Sequence, residues 1–155
     1  MKLFIKILII TLSLSVLLKA EVVDKISISG NKRISDETIK VYGGIDQNKI
    51  DFSKQDIDNI LKNIYETNFF ENVSVEIKNK VLLINLKEYP VINQLVIVGE
   101  DSNKFKDEIK RLIQLKENNS YIKNNLNEDL NIIRRFYSSI GFNFAKISAK
   151  VRKID

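Results

Sequence analysis

Between Ser53 and Ile77 the spacing of apolar residues changes period. Ile57, Ile60, Leu61, Ile64 and Tyr65 fall at i, i+3, i+4, i+7 and i+8, one face of an amphipathic helix. Beyond Phe69 and Phe70, Val73, Val75 and Ile77 alternate with Ser74, Glu76 and Lys78, the period of a half-buried strand. Ser53-x-x-Asp56 is a near capping box and predicts where the helix opens. Upstream, Val22 to Ser29 reads as one strand with Val22, Ile26 and Ile28 on one side, ended by Gly30-Asn31. Ser35 then stands as the N-cap of a short helix, with Asp36 and Glu37 in its first turn and Gly43-Gly44 as its stop. Downstream, Asn79-Lys80 separates the alternating strand from the run Val81 to Leu86 by the two residues of a β-hairpin.

The order is therefore β-α-α-β-β. If each element reverses direction, the first strand runs parallel to the third and the hairpin makes the second antiparallel to it, so the third belongs in the middle. Its near-continuous apolar run, VLLINL, suits a strand with neighbours on both sides. Two helices cover one face of such a sheet, which predicts a two-layer α+β domain with the second strand on an open edge.

The pattern recurs. Pro90 marks a boundary because it cannot donate to a ladder, which divides the chain into a first domain at 21–89 and a second at 90–155. VINQLVIVGE from Val91 matches VVDKISISGN from Val22; Asp107 to Leu115 takes the place of the first helix, and Asn125-x-x-Glu128 that of the capping box. IIRRFYSSIGFNFAKISA aligns with ILKNIYETNFFENVSVEI, pairing Tyr137 with Tyr65 and Phe142 with Phe70. A strand is expected from Phe144 to Arg152, with no hairpin partner after it, so the second copy reads as truncated before its last strand and the chain as a fragment of a longer protein.

Composition narrows the chemistry. With 44% hydrophobic and 29% charged residues over 155 positions, the chain has the make-up of one or two folded domains. Residues 1–20 are set apart: Lys2 and Lys6 precede an apolar run from Ile7 to Leu18 that is short for a membrane span and reads as a secretory signal peptide, with cleavage after Ala20. Without Lys2, Lys6 and Lys19 the 25 basic residues fall to 22 against 20 acidic ones, a net charge of +2, which weakens the case for nucleic acid, as does a secreted location. The chain has no His and no Cys, which excludes a Ser-His-Asp triad, a thiolate nucleophile, disulfides and the usual zinc sites. The carboxylate pairs Asp56/Asp58 and Glu128/Asp129 lie in first helical turns, where capping explains them. Neither enzyme, cofactor nor metal is expected. Phe69-Phe70 and Phe142 read as core plugs at a helix-to-strand corner, and Lys32-Arg33 and Arg134-Arg135 as solvated faces.

Taken together, ISISGNKRISDETI, IDNILKNIYETNFFENVSV, the KEYPVI junction, LVIVG and NEDLNIIRRFYSSIGFNFAKI resemble the N-terminal POTRA domains of the BamA family of outer-membrane protein assembly factors, from Val22 to the end. The resemblance implies tandem periplasmic domains ahead of a C-terminal membrane β-barrel that is absent from this chain. It implies unfolded outer-membrane proteins, periplasmic chaperones and accessory lipoproteins of the assembly complex as partners. A related two-partner-secretion or autotransporter-assembly barrel protein is the alternative. The candidate site is the edge strand Asn72, Val73, Ser74, Val75, Glu76 and Ile77, whose unpaired N–H and C=O groups can take an extended peptide as a further strand. Proline at 74, 75 or 76 would test it. Glu71, Glu76 and Lys78 are the charges that could instead protect the edge.

Overall fold

The computed structural model describes residues 21–46 and 48–154, so the signal-peptide reading lies outside the described residues. The chain divides after Glu88 into two compact units. The first contains β1 (Glu21–Val22), β2 (Lys25–Ser29), α1 (Asp36–Gly43), β3 (Asp51–Phe52), α2 (Lys54–Glu66), β4 (Phe70–Lys78) and β5 (Val81–Glu88). Its three-stranded sheet has the order β2-β5-β4, with β2 parallel and β4 antiparallel to β5. The expected central strand is central, and Leu82 and Ile84 on it are fully buried. Asn79 and Lys80 both take positive φ, 51° and 62°, as a tight turn between twisted strands requires. Register then runs from Lys78↔Val81 to Asn72↔Lys87, with a shift between Asn72 and Phe70.

Both helices lie over one face of this sheet. Ser53 and Asp56 cap each other reciprocally at the start of α2, and Ser35 accepts from the Thr38 N–H at the start of α1, which ends on a left-handed Gly44. Ile60 and Ile64 of α2 and Ile39 of α1 meet Phe70, Leu82 and Ile84 in one core, with Ile57, Leu61 and Phe69 packed against it. The first strand departs from the uninterrupted alternation read in the sequence. It breaks at Val23–Asp24: β1 pairs antiparallel with β3, while the Asp24 N–H donates to the Lys80 carbonyl at 2.8 Å and starts β2. The break shifts the side-chain parity, so Val23 is buried and Val22 is 47% exposed, the reverse of the expectation.

In the second unit the helix pair recurs as α3 (Asn103–Leu112) and α4 (Lys123–Ser139). Both boundaries differ from those read in the sequence. Ser102, accepting from the Phe105 N–H, opens α3 four residues before Asp107, and the helix closes at Leu112. Helix α4 starts ahead of Asn125-x-x-Glu128, after Ile122, which offers no side-chain cap and whose carbonyl accepts from the Leu126 N–H at 3.3 Å. The strands expected at Val91–Gly99 and Phe144–Arg152 form no ladder. Among the described residues of this unit the one β pairing is an isolated Val91↔Ser120 bridge. In the first unit β2 and β4 never touch and are joined solely through β5; the second unit has no described counterpart of β5, and a strand without a partner is merely extended chain. Val98 and Phe144 are 85% and 97% exposed in consequence. Phe142, read as a core plug like Phe70, is 58% exposed and touches Tyr137 instead of a sheet.

Candidate functional site

Strand β4 is an edge: it pairs with β5 on one side and, among the described residues, with no strand on the other. In an antiparallel pair, residues that exchange both hydrogen bonds alternate with residues that exchange none. The two-residue turn makes Lys78↔Val81 an exchanging pair, so Glu76↔Leu83, Ser74↔Asn85 and Asn72↔Lys87 are exchanging pairs as well. The backbones of Val73, Val75 and Ile77 therefore face the open side. An independent contact confirms the parity: the Val73 N–H donates to the Tyr65 hydroxyl at 3.2 Å. Tyr65, read in the sequence as part of the apolar helix face, is 41% exposed and reaches from α2 to plug the start of the edge. Two outward N–H groups remain free for an added strand, those of Val75 and Ile77. Proline at 74 or 76 would instead break the ladder to β5, so of the three substitutions suggested by the sequence Val75→Pro alone acts on the edge.

The side chains of β4 divide by face. Val73 is buried beneath the helices and Val75 and Ile77 are partly buried against the same core. Ser74, Glu76 and Lys78 are exposed on the uncovered face. There a row of side chains crosses all three strands: the Ser29 hydroxyl donates to Asn85 Oδ1 at 2.8 Å and Asn85 Nδ2 donates to Ser74 Oγ at 3.3 Å. Asn85, the polar interruption of the VLLINL run, is the centre of that row. Of the charges read as edge protection, Glu71 is tied to Lys87 at 2.6 Å, whereas Glu76 and Lys78 form no ion pair among the described residues.

The other charged candidates serve the fold. Asp56 belongs to the capping box; the Lys49 ammonium at 2.6 Å, followed by Ser53, holds its carboxyl down at about 2. Asp58 is exposed. Asp129 is 2% exposed and does not cap its own helix: it accepts from the N–H groups of Gln114 and Leu115 at 2.7 and 2.9 Å, while Glu128 takes the Gln114 side chain. Glu88, passed over in the sequence as part of a junction, accepts from the N–H groups of Lys32, Arg33 and Ile34 and from the Arg33 guanidinium at 2.8 Å. Burial alone would raise its pKa, but those donors together hold it below the usual carboxylate value. Arg33 is thus drawn into the fold rather than left as a solvated charge. Arg134 bonds Asn131 and the Ile147 carbonyl. Tyr137, the repeat partner of Tyr65, donates to Glu100, and its pKa is pushed up to about 12 by burial and then by that carboxylate. No group of three or more His, Cys, Asp or Glu side chains among the described residues could hold a metal ion, and no described helix is long and apolar enough to cross a membrane.

Residues 90–155 match the POTRA family, described as a surface antigen variable number repeat. No curated protein sequence matches the chain. Among solved structures, it is similar to the N-terminal domain of Omp85 from the thermophilic cyanobacterium Thermosynechococcus elongatus, at 12% identity and a TM-score of 0.50 over 77% of this chain and 52% of that one. It is also similar to POTRA1-2 of the periplasmic domain of Omp85 from Anabaena, at 16% identity and a TM-score of 0.44 over 85% and 86% of the two chains. Haemophilus influenzae BamA POTRA3-5 follows at 12% identity and 0.39, over 79% and 56%. The chain thus spans about half the length of the first of these structures, and that likeness is one of fold.

Proposed function

We propose that the first unit is a non-enzymatic strand-accepting module, in the periplasmic part of a machine that assembles β-barrel proteins into the outer membrane. The observation that carries this reading is the open side of β4, where the N–H groups of Val75 and Ile77 point away from the sheet with no partner strand among the described residues. Main-chain hydrogen bonds made there hold an extended segment with little demand on its sequence, which suits a receptor for many unfolded, strand-forming clients. The POTRA match of residues 90–155 and the fold likeness to Omp85 support the setting. Unfolded outer-membrane proteins are the proposed clients, with chaperones and accessory lipoproteins as further partners and a membrane barrel supplied outside this sequence.

The test is titration of an unfolded β-barrel peptide against four forms of the protein. Val75→Pro removes one outward donor at an edge position where proline is tolerated, and abolishes binding, while Val75→Ala retains it. Tyr65→Phe releases the Val73 N–H, lengthens the free edge by one donor and tightens binding. Equal binding by the parent, folded Val75→Pro and Tyr65→Phe would show that clients do not add to this edge.

A further inference from the structure

We infer that Ser74 and Glu76 read the side chains of the strand that β4 accepts, selecting an antiparallel segment with an amide or hydroxyl side chain opposite Ser74 and a basic one opposite Glu76. This rests on the strand-accepting reading and adds a specificity to it. The argument begins with the parity of the edge. Because Val75 and Ile77 would exchange hydrogen bonds with an antiparallel newcomer, Ser74 and Glu76 would occupy the non-exchanging positions. Those are the positions where Cα atoms across the pair approach to about 4.5 Å, against about 5.5 Å at the exchanging ones, so side chains there meet most closely.

The hydrogen-bond row on the uncovered face has a direction. Ser29 has no role open to it but donor towards Asn85 Oδ1, and Asn85 then donates through Nδ2 to Ser74 Oγ. The Ser74 oxygen thereby accepts once, and its own hydrogen and second lone pair are left for a partner across the free edge. A side-chain carbonyl of Asn or Gln, or a hydroxyl of Ser or Thr, continues the row; an aliphatic side chain leaves it unfinished. Two residues on, Glu76 is exposed, forms no ion pair among the described residues and stands on the same face, where a Lys or Arg opposite it gains an ion pair and an acidic residue is repelled. The apolar side chains of the same segment would fall beside Val75 and Ile77. An alternating strand in one register satisfies all of these positions, and a slip of one residue satisfies none.

The experiment is a set of double-mutant cycles on the full chain. Short synthetic peptides of alternating apolar and polar residues are varied Thr→Val at each polar position in turn, and Lys→Gln likewise, against the parent, Ser74→Ala and Glu76→Gln. One Thr position should couple to Ser74 and one Lys position, two residues away, to Glu76, each changing affinity by about two- to fivefold only when its partner is intact. Binding that protects the Val75 and Ile77 amides from exchange but shows no coupling at any position would overturn the specificity and leave strand addition standing. Absence of binding, with those amides unprotected, would overturn both.

Discussion

At the scale of single residues, Glu88 ties distant segments of the first unit together. It sits at the end of β5 and ties down the loop that leads into α1, gathering three backbone N–H groups and a guanidinium from residues 54 to 56 positions away. Its folded-state pKa lies below its ordinary value, so the stability it contributes is present above about pH 4.5 and is lost as pH falls through the folded value. Asp56, held at about 2, extends that loss towards lower pH. Glu88→Gln should cost about 1–3 kcal/mol at pH 7 and flatten the upper part of this acid limb. Urea titrations of the parent and the variant between pH 7 and pH 3 check both outcomes; an unchanged pH dependence would show that Glu88 does not carry it.

At the scale of elements, two glycines in equivalent places of the repeat report on β5. Gly30 follows β2 at a φ of 85°, and a Cβ built on it would lie 1.9 Å from the Leu86 carbonyl oxygen. Gly99, its counterpart after the LVIV run, has a φ of 79° and nothing within 4 Å. Alanine at 99 meets only the left-handed backbone strain, about 1–2 kcal/mol, whereas alanine at 30 must also displace the central strand and should cost about 3 kcal/mol or more. Residue-resolved hydrogen exchange on the two variants separates them. Comparable losses would mean that a backbone also abuts Gly99.

At the scale of the whole molecule, the two copies of one pattern reach different degrees of order. The first unit closes a core over a three-stranded sheet, while the second packs Ile109, Ile113 and Leu115 among its helices and loops and leaves its strand-like segments without a ladder. Slow amide exchange is therefore expected in residues 81–88, and fast exchange in 93–94, 96–98 and 146–152, where no ladder shields the N–H groups; the Leu95 and Ala145 N–H groups are instead held by Glu117 and the Phe142 carbonyl. Equal protection of both sets would contradict the absence of a ladder in the second unit.

Local periodicity carried much of this architecture. The period change after Phe70, the Asn79-Lys80 turn and the unbroken VLLINL run were enough to place β5 between a parallel and an antiparallel neighbour, because side-chain faces and reversal of direction are written in neighbouring residues. The outward facing of the Val75 backbone was not drawn from the sequence, where proline at 74, 75 and 76 stood as equal tests of the edge, although a two-residue turn sets which backbone groups exchange. What periodicity could not reach were contacts between distant segments: the Val23 break imposed by β3, Glu88 against the β2–α1 loop, Asp129 against Gln114 and Leu115, and Tyr65 on the edge it plugs. Each depends on where a remote backbone group comes to rest, and packing decides that. The same holds for the second unit, in which a good strand pattern stays unpaired: alternation specifies which face a residue would present, while a partner backbone is needed to make it a strand.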